Sequence, residues 1–213
     1  MPIDNFSNLK ASIKRRSKRN DVSDADLTDY ILQAEATFYN NPTTALRIRA
    51  MEARATAPTS ITSRFLALPD DFLQMRRLKL NDPYSGSSGD TDVEYLTPEQ
   101  MPLNNLVQIP CYFTVTSQIE FNSTPDKVYT TEMQYLQKIP ALSDAAPTNT
   151  ILTEHPNIYL FGALWALFQD AMEGDVSNYF KDQFFQAIAG ANATDQEGRY
   201  GPAPYIRMEG YAP

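Results

Sequence analysis

The spacing of apolar residues changes period twice along this chain of 213 residues. Near the N-terminus Phe6, Leu9 and Ile13 recur at helical spacing, which predicts a helix over residues 5–17. Leu27, Ile31, Ala34 and Phe38 do the same over 25–40, with Asp24 as the expected N-cap. From residue 51 the helical period is lost. Residues 51–57, 63–68, 72–80, 111–116, 118–122 and 127–137 read as strands, separated by turn signals such as Pro69-Asp70-Asp71 and Thr116-Ser117. After Thr148 the helical period returns. His155-Pro156 opens a helix that is apolar nearly all round, from Ile158 to Phe168, so it must be buried on most sides. Gly174 is expected to end it. Asp175 should then cap a helix over 176–197, with Tyr179, Phe180, Phe184, Ile188 and Ala191 as its buried stripe.

Helical ends around a strand-rich middle predict an α+β fold. The expected plan is a mostly helical core, its N- and C-terminal helices packed together, from residues 1–50 and 145–198. A β-rich antiparallel region is inserted over 51–144, and 199–213 form an extended C-terminal tail. Asn81 to Asp92, with Pro83, Gly86, Gly89 and three serines, reads as a surface loop or hairpin tip. Thr97-Pro98-Glu99-Gln100 reads as a short helical turn. Hydrophobic residues make up 42% of the chain, enough for a sizeable core. No apolar run approaches the ~20 residues of a membrane span, so no membrane partner is expected. The N-terminus lacks the apolar core of a signal peptide, which predicts a cytoplasmic site of synthesis. The lone Cys111 allows no intrachain disulfide, and its strand-like surroundings predict a core thiol.

Catalytic chemistry is hard to assemble from these residues. His155 is the one histidine, so neither a triad nor a zinc site has its complement. No glycine-rich phosphate loop is present. Asp70-Asp71, Asp24 with Asp26, and Asp90 with Asp92 are explained by caps and turns. The chain is therefore expected to have no catalytic, cofactor-binding or metal-binding residues and to be no enzyme. On the residues alone a cytosolic protein-binding module stays open, and more remotely a small hydrolase built on carboxylates.

Charge is more informative. Residues 1–79 hold 13 of the 18 Lys and Arg against 9 of the 26 acids, and the rest of the chain is strongly acidic. Such asymmetry suits surfaces that face different partners, or two differently solvated faces of a monomer. Lys14, Arg15, Arg16, Lys18 and Arg19 form a basic cluster after Lys10, with no aromatic residue interleaved; an interface or a solvated helix end fits better than direct DNA contact. Tyr200, Tyr205 and Tyr211 sit in a segment rich in Gly, Pro and Ala, a pattern that suits a docking tail.

Four segments carry a resemblance: Arg49 to Ala55 (RAMEARA), Leu68 to Arg77 (LPDDFLQMRR), Tyr95 to Met101 (YLTPEQM) and His155 to Ala163 (HPNIYLFGA). In this order they resemble the podophage head-to-tail adaptor, or connector, family. That resemblance implies a structural virion protein of the tail or neck. Its copies, usually twelve, ring the underside of the portal. They extend the DNA channel and dock the tail nozzle and fibres, with DNA only as passing cargo. It implies as partners the portal protein, nozzle and tail-fibre proteins, and further copies of the chain. Arg199, Tyr200, Tyr205, Ile206, Arg207 and Tyr211 are the expected portal-binding residues. Lys14, Arg15, Arg16, Lys18 and Arg19 are expected at an interface, and Tyr84, Asp90 and Asp92 on a loop facing the tail.

Overall fold

Asn5 and Ser23 begin the first two helices because their side chains accept N–H groups that a helix start leaves unbonded. Asn5 Oδ1 accepts from the Asn8 N–H at 2.8 Å, and α1 runs Phe6–Ser17. Ser23 Oγ accepts from the Asp26 N–H at 3.2 Å, while Asp26 accepts from the Ser23 N–H at 3.0 Å. This reciprocal pair opens α2, Asp24–Asn40. Asp24 therefore lies inside the helix, and Ser23 takes the capping position expected of it, because Asp26 can return the bond.

The structure is a computed structural model that describes residues 2–19, 21–82, 90–102 and 106–200. It divides into two compact units, one of Met1–Ala50 with Ile139–Pro213, the other of Met51–Lys138. In the first unit α3 (Thr150–Glu154), α4 (Pro156–Asp170) and α5 (Gly174–Tyr200) follow α1 and α2. The apolar helix is α4. It packs against each of the other four, which explains why no polar stripe is needed. Gly162 makes this packing possible: a Cβ there would lie 2.7 Å from Ala34 Cβ and 2.8 Å from Phe184 Cε2.

Side-chain bonds hold the segment returning from the second unit. Buried Glu35 accepts from the Leu142 N–H at 3.0 Å and from the Tyr159 hydroxyl at 2.9 Å. Tyr39 Oη accepts from the Ile139 N–H at 2.9 Å, and Asn149 Nδ2 donates to Tyr159 Oη at 2.7 Å. Burial pushes the Glu35 carboxyl above its ordinary range and the Tyr39 hydroxyl up to about 12.

The turn from α4 to α5 departs from expectation. Met172, not a glycine, takes the left-handed position at φ 58°. Its neighbour's N–H, that of Glu173, bonds the Phe168 carbonyl at 3.0 Å, so the helix end closes in the usual way with an unusual residue. Gly174 begins α5 rather than ending α4.

The second unit is a seven-stranded sheet. Its strands are β1 (Glu52–Pro58), β2 (Phe65–Leu66), β3 (Phe72–Asn81), β4 (Asp90–Tyr95), β5 (Tyr112–Val115), β6 (Ile119–Phe121) and β7 (Thr130–Gln137). Their order is β1-β7-β3-β4-β5-β6-β2. Leu78, Leu80, Val93, Phe113, Ile119, Phe121 and Met133 form its buried core.

Several expectations change. The chain is a mixed α and β structure, not a mostly helical one. The sheet is not wholly antiparallel either, since β4 and β5 run parallel through Glu94–Tyr112 and Tyr95–Phe113. β4 occupies the end of the segment read as loop; of its six residues only Val93 is buried, too weak a signal for a period-two pattern. Thr97 to Gln100 form a turn closed by a 3.0 Å bond, not a helix. Cys111 is exposed and precedes β5, so it is no core thiol. The expected tail loses its first two residues to α5, which continues to Tyr200. Residues 201–213 lie outside the described residues.

Candidate functional site

The basic run forms the end of α1, where cations complement the carbonyl end of the helix dipole. The structure spends part of it inside its own unit. Lys14 Nζ meets Asp24 Oδ1 at 2.6 Å, and Arg19 bonds Glu173 Oε1. The hydrogen bond from Lys14 holds the Asp24 carboxyl below its usual range. Lys10 reaches Asp144 at 3.4 Å. Arg15, Arg16 and Lys18 are exposed and, among the described residues, meet no carboxylate. Lys18 ends the helix in the left-handed region at φ 54°, which turns the chain sharply there. Of the five expected interface residues, three thus remain available to a partner.

The acids expected on a tail-facing loop lie on a strand. Asp92 and Arg77 form a two-point pair across β3 and β4, with both N–O distances 2.7 Å. Asp90 meets Lys79 at 3.3 Å. The Arg77 hydrogen bonds hold Asp92 below the ordinary carboxylate range. These residues zip the hairpin rather than project from it. Tyr84 lies outside the described residues.

Of the expected portal-binding residues, Arg199 lies on α5, where its Nε meets Asp195 Oδ2 at 2.9 Å. Tyr200 is the last residue of that helix; Tyr205, Ile206, Arg207 and Tyr211 lie outside the described residues. The same Asp195 accepts from Arg49 Nε and from the Arg49 N–H, both at 3.0 Å. Burial opposes ionisation of Asp195, yet the bonds from Arg49 and Arg199 outweigh it and hold the carboxyl low. One turn earlier, Asn192 accepts from the Arg47 N–H at 2.8 Å and donates to the Ala45 carbonyl at 2.9 Å. The end of α5 therefore clasps segment 45–49, which runs into a short 3-10 turn at Arg49–Met51. Sequence reading missed Arg49, Asn192 and Asp195 as a group. The signal available was two polar residues three apart beside Ala191, facing a segment far away in the chain.

An open cleft of about 640 Å³ lies beside this clasp, lined by Arg49, Glu154, His155 and Asp195 among others. Of its two carboxylates, Asp195 is already engaged by two guanidinium groups, Arg49 and Arg199. Among the described residues no three His, Cys, Asp or Glu side chains gather as a metal-binding group. No helix of the described residues is long and apolar enough to cross a membrane. Of these features, the exposed Arg15, Arg16 and Lys18 are the ones left to meet a partner, whereas the hairpin and the helix end are paired within the fold.

Comparison with curated proteins finds no match. A family model described as SU10 adaptor protein matches residues 4–207, nearly the whole chain. It agrees with the resemblance carried by the four quoted segments. The chain belongs to the SU10 adaptor protein family, a family of phage adaptors.

Proposed function

We propose that this chain is a head-to-tail adaptor whose copies form a ring of twelve beneath the portal, in the neck of a podovirus. The ring prolongs the DNA channel and carries the nozzle and fibres. What carries this reading is the family match across residues 4–207. A closed ring needs heterologous contacts, with a different face on each side of a subunit. The exposed Arg15, Arg16 and Lys18 supply one positive face, and the acidic remainder of the chain offers its complement. The segment after α5 docks on the portal through Tyr205, Ile206, Arg207 and Tyr211. Arg199 stays with Asp195 and anchors the root of that segment.

Native mass spectrometry of the full chain, alone and mixed with the portal protein, tests the reading. A portal complex carrying twelve copies is expected. Deleting residues 201–213 should abolish attachment while helicity is retained, since α5 and its clasp remain. A truncated chain that still joins the portal would remove the docking role from this segment.

A further inference from the structure

Within the sheet unit, β3 is paired unequally on its two sides. Toward β7 its ladder runs from Phe72 to Asn81. Toward β4 it runs only from Leu78 to Asn81. Two irregularities, between Phe72 and Gln74 and between Met75 and Arg77, bend the first half of the strand. β4 meanwhile leaves to pair with β5. Along the β4 side of residues 72–77, no ladder is formed among the described residues.

The opening is a cleft of about 530 Å³ between the start of β3 and the residues Tyr95, Phe113 and Val115. Its floor is the core itself: Phe113 is buried, while Phe72, Met75 and Val115 are partly buried against that core. Tyr95 stands at its rim, 52% exposed, and contacts the Phe113 ring edge-on. An open strand edge beside apolar side chains is a feature that proteins normally cover.

The charge at the rim narrows what covers it. In this unit Arg54, Arg64, Arg77, Lys79 and Lys127 each meet a carboxylate within 3.3 Å. Arg76, exposed at one of the irregularities and lining the cleft, meets none among the described residues. Unpaired edge amides and carbonyls call for an extended backbone. The apolar floor calls for apolar side chains at alternate positions, and Arg76 for an acid beside them.

We propose that this cleft is a seat for an extended peptide segment of another protein, added to the β3 edge, with alternating apolar residues and a carboxylate against Arg76. Some five residues of partner strand would span the open edge at about 3.3 Å each. This goes beyond the ring reading and does not depend on it.

The test selects random twelve-residue peptides on display against the full chain, then measures the enriched peptides by fluorescence anisotropy. Enriched sequences should alternate apolar residues and contain Asp or Glu. Binding should slow amide exchange at residues 72–76. Arg76→Glu, at an exposed position, should weaken these peptides at least tenfold, and Lys-for-acid peptides should recover binding to it. Met75→Asp should abolish binding. Peptides that bind both variants as tightly as the unaltered chain, or a selection that enriches nothing, would overturn the proposal. So would a self-association of the unaltered chain that is lost in Arg76→Glu, since the occupant would then be a second copy.

Discussion

Glu35 carries an acidic group into a core with no cation beside it among the described residues. Its two bonds, from the Leu142 N–H and the Tyr159 hydroxyl, suit the anion, but burial outweighs them and raises its pKa. Above the ordinary glutamate value of 4.5 the folded chain therefore binds more protons here than the unfolded one. Linkage then makes stability fall as pH rises through that value toward the raised one. Glu35→Gln keeps a carbonyl acceptor for both donors and removes the ionisation. Urea midpoints from pH 4 to pH 8 should show the unaltered chain losing stability relative to this variant above about pH 4.5, with little difference below it. Parallel profiles would contradict the burial argument. Helical spacing, four after Ile31 and three before Phe38, puts Glu35 on the buried stripe of α2, but its acidic identity argues the other way, and the packing of α4 and the returning segment decides that it is enclosed.

Element ends show how local rules can be overridden. Met172 stands 93% exposed at φ 58°, so it holds a conformation that favours glycine while burying almost nothing. Met172→Gly should leave the Glu173 to Phe168 bond intact and stabilise the helical unit by up to about 1 kcal/mol, read as a rise in the urea midpoint. A fall would mean that the methionine side chain makes a stabilising contact in the folded chain. Helix existence was legible: α1, α2, α4 and α5 follow from apolar spacing because each buries one stripe or its whole surface. Their ends were less so. Ser23 displaced Asp24 as a cap because Asp26 reciprocates, and Arg199 stayed helical because Asp195 holds it. β4 was hidden because its outward residues, Asp90 and Asp92 among them, are chosen for pairs with β3 rather than for burial.

For the whole molecule, net charge bears on the proposed channel. The chain carries −8 overall, and Arg15, Arg16 and Lys18 near the end of α1 meet no carboxylate among the described residues. DNA that passes through a ring of such subunits should slide rather than bind. Duplex DNA mixed with the full chain should show no retarded band in a gel at about 0.15 M salt, where the Debye length is about 8 Å. A retained band would contradict the passing-cargo reading. Family membership, helix positions and the absence of a triad or phosphate loop could be read directly from residue order, because each rests on identity or on a local repeat. The clasp of Asp195 on Arg49, the bonding of Glu35 to Leu142 and Tyr159 and the half-open edge of β3 could not. Each joins residues far apart in the chain or depends on where two strands part company. Those distances are settled by how the apolar faces pack, which no local period encodes.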